Sequence, residues 1–283
     1  MSAIIQENIT QKFLAELSSA SPKAEFTPFE RIASALKFLE ENGIPNNKHE
    51  DYKYCNVESI IRKEFKSLGN SFSPIKKEQL QKFRTDKNGI YFFIANGKID
   101  EESSDLANLP AGLSVSSLTK AASENKEIFT RHFGAYANEN KDAFIALNTA
   151  FCGDGIFIHS KKNSLIEKTI HLVYIDSAKE NVSVNFRKLF VAEENSQVKI
   201  SETFETSELP GKLFSNQLSE FYIGENCIVD ATILQAGCEN FYGVNSTQVF
   251  QEKKSNFSIH TFTFGGSLVR NNLNIVVGGE FAE

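Results

Sequence analysis

Val198-Lys199-Ile200-Ser201-Glu202-Thr203-Phe204 places Val198, Ile200 and Phe204 on one face and Lys199, Ser201 and Thr203 on the other. That is the period of two that a half-buried β-strand requires. The same pattern recurs over residues 221–223, 227–234, 241–249, 257–264 and 273–277, separated by turn material at Gly224-Glu225-Asn226, Gly237, Gly265-Gly266 and Gly278-Gly279. Upstream, residues 155–159, 170–175 and 186–191 read as further strands, with strand structure resuming from Ala143 onward. No strict short repeat is present, which argues against a left-handed hexapeptide β-helix and leaves a β-sandwich or a right-handed β-solenoid. In residues 257–264 the apolar parity switches, from Phe257 and Ile259 to Phe262 and Phe264. Such a switch fits a strand bending at a solenoid corner, so Phe257, Ile259 and Phe264 are expected inside. The array stops at Glu283 with no capping helix, although a stacked β-array needs its last rung covered. Either a missing segment or a partner is expected there, and an uncovered rung predicts self-association as a homo-oligomer or fraying.

The first 85 residues read differently, as a helical N-terminal domain. Ile5, Ile9, Phe13, Leu14 and Leu17 form an apolar stripe at helical spacing. A second helix is expected to start with Thr27 as N-cap, Pro28 at the first helical position and Glu30 closing a capping box. Its buried face would be Phe29, Ile32, Ala33, Leu36 and Leu39, with Gly43 ending it and Pro45 preventing continuation. A short third helix near Asn56 carries Ile60, Ile61 and Phe65. Residues 86–283 read as the strand-rich core, expected as a β-helix if the solenoid reading holds, opening with the strand Ile90-Tyr91-Phe92-Phe93-Ile94 and the turn Asn96-Gly97. A helical interruption near 118–141 presents Ile128, Phe133 and Tyr136.

With 283 residues and 41% apolar content, the chain has enough material for a folded core, and 25 Phe with no Trp make Phe its main large filler. A net charge of −6 argues against a nucleic-acid partner, because phosphate binding needs a basic surface. No run approaches the roughly 18 apolar residues that span a membrane. The acidic, amphipathic N-terminus lacks the basic head and apolar run of a secretory signal, so a cytoplasmic location is expected. There the widely spaced Cys55, Cys152, Cys227 and Cys238 read as free thiols.

Catalytic constellations are sparse. The sequence has no phosphate-binding loop, no G-x-S-x-G, no H-E-x-x-H and no dinucleotide fingerprint. His159 and His171 border two strands and have Asp154 and Glu167 nearby in sequence, but satisfied structural histidines are the simpler reading. Cys227 and Cys238 flank one strand and read as small buried hydrophobes. Glu202, Glu205 and Glu208 offer an acid/base pair to a glycosidase, although their polar neighbours and the turn Leu209-Pro210-Gly211 point to a solvated loop. Asp51-Tyr52-Lys53-Tyr54 interleaves rings with charges, an arrangement suited to docking or packing.

That motif carries a resemblance. Gly43-Ile44-Pro45 followed by Glu50-Asp51-Tyr52-Lys53-Tyr54-Cys55-Asn56-Val57 resembles the signature near the start of SufD proteins, with Cys55 where Thr or Ser is usual. Asp142-Ala143-Phe144-Ile145-Ala146-Leu147-Asn148-Thr149-Ala150-Phe151 with Asp154-Gly155-Ile156-Phe157-Ile158-His159 is the most specific block. Arg187-Lys188-Leu189-Phe190-Val191 with Ser196-Gln197-Val198, residues 214–220, and Gly265-Gly266 through Arg270 to Gly279-Glu280 are similar to the blocks that follow. The resemblance implies a mainly β protein, a right-handed parallel β-helix preceded by a helical N-terminal domain. It also implies a non-enzymatic scaffold or partner subunit of the SufBCD complex of iron–sulfur cluster assembly, working with SufB and the ATPase SufC. SufB, the closest paralogue, remains an alternative, and the compact 50–56 motif and short N-terminus favour SufD. The family's further rungs, its cluster-linked histidine and its C-terminal SufC-binding helical segment have no counterpart in these residues. Accordingly no catalytic, cofactor-binding or metal residue is assigned, and no cofactor is expected on this chain. A β-helix carbohydrate-active enzyme and a cytoplasmic interaction protein unrelated to metal are the rival readings.

Overall fold

The computed structural model describes residues 10–18, 25–67, 75–206 and 210–283. In chain order these form α1 (residues 10–18), α2 (Phe29–Asn42), a 3-10 turn (Glu50–Tyr52), α3 (Glu58–Ile61), β1 (Lys66–Ser67) and α4 (Lys77–Gln81). The hairpin β2 (Ile90–Ala95) and β3 (Lys98–Ile99) follows, then β4 (Leu113–Ser117), α5 (Leu118–Glu124), α6 (Lys126–His132) and α7 (Ala143–Phe151). The remainder is strand: β5 (Gly155–Ser160), β6 (Ile170–Ile175), β7 (Val182–Ala192), β8 (Gln197–Thr206), β9 (Leu213–Ile223), β10 (Ile228–Gly237), β11 (Phe241–Gln251), β12 (Asn256–Gly265) and β13 (Leu268–Val277).

From β5 onward the chain visits two sheets alternately. One sheet runs β13-β11-β9-β7-β5-β4 and the other β12-β10-β8-β6-β2-β3; β5 through β13 pair parallel with one another, while β4 and β3 are antiparallel to β5 and β2. A chain that pairs each strand with the one two strands earlier is a coil, and about four turns of it make a β-solenoid. The register step shrinks from 32 residues (Gly155 to Arg187) to 28 (Leu213 to Phe241) and 26 (Tyr242 to Leu268). The strands lengthen from 6 residues in β5 and β6 to 10 or 11 from β7 onward, so the loss falls in the loops. That drift hides the repeat from a fixed-period search.

The corners supply the regularity instead. Asn163, Asn195, Asn226, Lys254 and Phe281 all adopt left-handed backbone, with φ of 61°, 61°, 57°, 58° and 59°. Asn tolerates this region better than other residues with a Cβ, because its short side chain bonds locally. Here the amides also stack: Asn195 Nδ2 donates to Asn163 Oδ1 and Asn226 Nδ2 to Asn195 Oδ1, both at 2.9 Å.

The core lies between the sheets. Ile156, Phe186, Phe190, Ile200, Phe221 and Val229 project into it, Tyr174 and Phe204 stack at 4.3 Å, and Phe221 bridges Phe190 and Phe257. A second apolar layer forms on the outer face of the β5–β13 sheet, where Phe144 and Leu147 of α7 and Leu39 of α2 pack with Phe214 and Val244. On the outer face of the other sheet, Leu80 of α4 covers Tyr91, Phe93, Val173 and Ile175.

Several sequence expectations need correction. Strand does not resume at Ala143; residues Ala143–Phe151 are helical. Asp142 caps the helix through Oδ1, which accepts from the N–H groups of Phe144 (2.8 Å) and Ile145 (3.0 Å). Burial between α2 and the sheet explains why the helix is apolar nearly all round. In α2, Pro28 rather than Thr27 is the N-cap and no side chain bonds the cap, so the Thr27–Glu30 box does not form. Arg31 is drawn to Glu139, Nε to Oε1 at 3.0 Å, which turns Ala35 and Leu39 inward and leaves Phe29 78% exposed. Gly43 does end the helix, at φ 68° with its N–H on Leu39 O at 2.9 Å. The parity switch in β12 is not a bend, because the strand runs unbroken from Asn256 to Gly265. Phe257 is buried and Ile259 partly so, but Phe264 lies on the outer face, 64% exposed. Residues Ile5, Ile9, Glu208 and Leu209 lie outside the described residues.

These positions separate in a denaturation experiment. Phe257→Ala should lower unfolding free energy by about 3 kcal/mol or more, as for a buried Phe, whereas Phe264→Ala should change it by less than about 0.5 kcal/mol. Equal midpoints in urea would contradict this assignment of faces.

Candidate functional site

The charged residues of β7 define the centre of the molecule. A strand sends successive side chains to opposite faces, so Arg187 points outward and Lys188 into the solenoid. Both are almost fully buried.

Outside, Arg187 meets Glu220 of β9, with Nε at 3.0 Å and Nη2 at 2.5 Å from Oε2. Glu220 is completely buried and also accepts the N–H groups of Gly134 and Tyr136, each at 3.2 Å. Arg187 Nη1 donates to Thr149 Oγ1 of α7 at 3.3 Å, and the guanidinium lies 4.3 Å over the Phe133 ring. Gly134 sits at φ 72° with Arg31 packed where a Cβ would stand, so the loop after α6 has no room for a side chain there. One ion pair thereby fastens a loop, α7 and two rungs together.

Inside, the Lys188 ammonium bonds Glu202 Oε1 of the facing sheet and lies 4.8 Å over the Phe221 ring. Tyr174 donates its hydroxyl to Glu202 Oε2 at 3.2 Å. Burial pulls Lys188 below its ordinary value, with Glu202 opposing, and burial together with Glu202 pushes the Tyr174 phenol well up. From this pair toward β13 the interior turns polar, through Gln217, Gln235, Asn245, Thr247 and Asn271, around a narrow cavity of about 40 Å³. Gln235 Nε2 donates to Asn271 Oδ1 and Asn271 Nδ2 to Gln235 Oε1, both at 3.0 Å. The space suits a water or two and no larger ligand.

A third cluster sits where α6 meets the corner after β7. His132 shares a 2.6 Å hydrogen bond with Tyr136 through Nδ1, and its ring lies 4.4 Å from that of Tyr222. His159 Nε2 is 3.4 Å from Glu193 Oε2. Burial, aided by Arg131, lowers His132 to about 4, and burial lowers His159 as well.

The residues singled out in the sequence do not converge. His159 lies on the outer face of one sheet and His171 on the outer face of the other, stacked on Tyr91 at 4.4 Å with Asp86 at 3.3 Å. Asp154 instead accepts the N–H groups of Gly155 (2.8 Å) and Thr119 (3.2 Å), while Glu167 is exposed. Cys227 and Cys238 sit beyond opposite ends of the ten-residue β10. Cys227 is buried against Ser196 Oγ and the Glu193 carbonyl, and burial pushes its thiol and that of Cys152 up, Cys152 to about 12. Glu202 belongs to the core, not to a solvated loop; its even position in β8, shared with Ile200 and Phe204, carries the signal for this. In Asp51-Tyr52-Lys53-Tyr54 the two rings diverge. Tyr52 packs at 6.1 Å from Phe144, donates to Asp142 Oδ2 at 2.7 Å and lies under Arg270, while Tyr54 is 93% exposed. Among the described residues no three His, Cys, Asp or Glu side chains are grouped to hold a metal ion.

Two outcomes follow from this chemistry. Glu202→Gln, which leaves Lys188 buried without its counter-charge, should cost about 3–5 kcal/mol, and the double variant Lys188→Met/Glu202→Leu should recover most of it; a urea series checks both. Because His132 titrates lower in the folded chain than unfolded, the unfolded state binds the extra proton between pH 6.5 and 4, so stability falls as pH drops through that window. From pH 7 to 5 the loss from this residue should be about 2 kcal/mol, and His132→Gln should flatten the profile by that amount.

Comparison with known proteins agrees with the architecture. The family model described as "SufBD protein N-terminal region" matches residues 26–172, and "SUF system FeS cluster assembly, SufBD core domain" matches residues 174–283. The iron-sulfur cluster assembly SufBD family protein slr0076 of Synechocystis is 24% identical over 96% of this chain and 64% of its own length. A Staphylococcus aureus SufBD family protein, SAUSA300_0822, is also 24% identical, over 58% of this chain and 35% of its own. The chain thus spans about 64% of the length of the Synechocystis relative. The two family regions meet at Leu172 and Tyr174 in β6, inside the solenoid rather than at a linker, and their matches together run almost unbroken to Glu283. By that coverage the chain belongs to the SufBD family of the SUF iron–sulfur cluster assembly system.

Proposed function

We propose that this chain is a non-enzymatic structural subunit of an iron–sulfur cluster assembly complex, of the SufD type, working in the cytoplasm beside a SufB-like partner and the ATPase SufC. The family match across both regions carries the reading. The compact 50–56 motif favours SufD over SufB. The interior chemistry supports a platform role. Arg187, Lys188, Glu202 and Glu220 are each neutralised by one another, which leaves none of the four unpaired to activate a substrate. The same pairing counts against a β-helix carbohydrate-active enzyme, since such chemistry needs a carboxylate pair open to the sugar. The cluster is the complex's product and cargo, and this chain holds no resident cofactor in the proposal. No helix among the described residues is long and apolar enough to cross a membrane.

Co-expression of the tagged chain with the SufB-type protein of the same genome tests this. The expected result is stable co-elution, with the isolated chain carrying far less than stoichiometric iron or zinc by elemental analysis and hydrolysing no ATP. Failure to co-elute, or a stoichiometric metal in the chain alone, would overturn the proposal.

A further inference from the structure

The apolar residues at the far end of β12 lie on the wrong side of the strand for a solenoid. Thr261 and Thr263 take the inner positions, while Phe262 and Phe264 face outward, 50% and 64% exposed. Across the sheet these outward residues are in register with an apolar stripe. Phe93, Val173, Thr203, Leu234 and Phe262 are successive partners on β2, β6, β8, β10 and β12, and Ala95, Ile175, Glu205, Ala236 and Phe264 form the row beside it.

The first half of that stripe is already covered by this chain. Leu80 of α4 is buried on Phe93, Val173 and Ile175, with Phe83, three residues on, packed against the same cluster. The second half has no cover among the described residues, and Leu234 is 37% exposed there. The cover that the first half accepts is the short helix α4 and the turn after it, with Leu80 and Phe83 against the sheet and a net basic flank of Lys76, Lys77, Lys82 and Arg84 with the single acid Glu78. Glu205, which lies within the stripe, suits the same basic flank on the open half.

We propose that Leu234, Ala236, Phe262 and Phe264 form a docking surface for a basic amphipathic helix of a partner protein, seated on the stripe as α4 is. The orientation explains the sequence: β12 keeps threonine inside, beside the polar column, and turns its aromatics to the partner. Exposed apolar groups that are contiguous and rimmed by polar residues mark interaction sites. A helix laid in such a position uses anchors at i and i+3.

A fluorescein-labelled, side-chain-stapled peptide of residues 75–86 is a direct probe, titrated against the full chain by anisotropy. Saturable binding is expected, at least tenfold weaker for Leu234→Glu and for Phe262→Glu. Ile228→Glu, on the same outer face but at the start of β10, should bind as the parent does. Matched urea midpoints establish that the variants are folded, and Phe264→Ser replaces any variant that is not. Absence of saturable binding overturns the proposal, as does binding insensitive to these substitutions. So does concentration-dependent dimerisation in sedimentation that Phe262→Glu abolishes, which would give the surface to a second copy of the chain.

Discussion

Two adjacent cations on one buried strand impose the main constraint on this molecule. Arg187 and Lys188 must go to opposite faces of β7, so no single carboxylate serves both. Left alone, either would cost several kcal/mol in desolvation, of the order seen when one partner of a buried pair is removed. Glu220 answers Arg187 from the next rung of the same sheet, and Glu202 answers Lys188 from across the core. Rung spacing and sheet separation are therefore both tied to β7. The outer pair extends this to the helices, because Glu220 also holds the loop after α6 and Arg187 reaches Thr149 in α7.

The rest of the coil is free to vary where it is not so tied. Register steps contract from 32 to 26 residues between the first and last coils although the strands lengthen from 6 residues to 10 or 11. The shortening from β7 on falls at the opposite corners, between β8 and β9, β10 and β11, and β12 and β13, while the left-handed corners at Asn195, Asn226 and Lys254 keep their length, and the Asn163–Asn195–Asn226 ladder bonds three of these successive corners. The interior composition changes in step. Around Phe186 and Phe190 it is aromatic and aliphatic, and toward β13 it becomes a column of amides and hydroxyls joined by Gln235 and Asn271. Such a column is worth little to stability unless its donors and acceptors meet, since a half-satisfied buried network is costly.

The interior of this platform has the chemistry of a structural core. Its strongest charges are spent on one another, its buried thiols at Cys152 and Cys227 are pushed toward the protonated form, and its buried His132 is neutral near pH 7. What the surface offers instead is shape, two sheets of which one has its outer face padded by helices and the other, among the described residues, has its outer face covered by α4 over β2 and β6.

The sequence by itself determined most of the strands, though not β4 or the first part of β9 and β13, together with the helical N-terminal stretch and the family, because alternation, turn residues and local motifs are properties of short segments. Val198, Ile200 and Phe204 announce their common face, and Gly43 ends its helix through its own backbone freedom. The parity of Glu202 was equally legible, yet a carboxylate among apolar neighbours makes sense only once Lys188 is known to face it, fourteen residues away in chain and across the core in space. Tertiary structure alone decided that residues 143–151 are helical, since their nearly uniform apolarity reflects burial on several sides rather than strand pairing. It also decided that Phe264 faces out, because alternation gives the period of a strand but not which face meets the core. Partners in other coils set that choice, and their distance in sequence drifts from coil to coil.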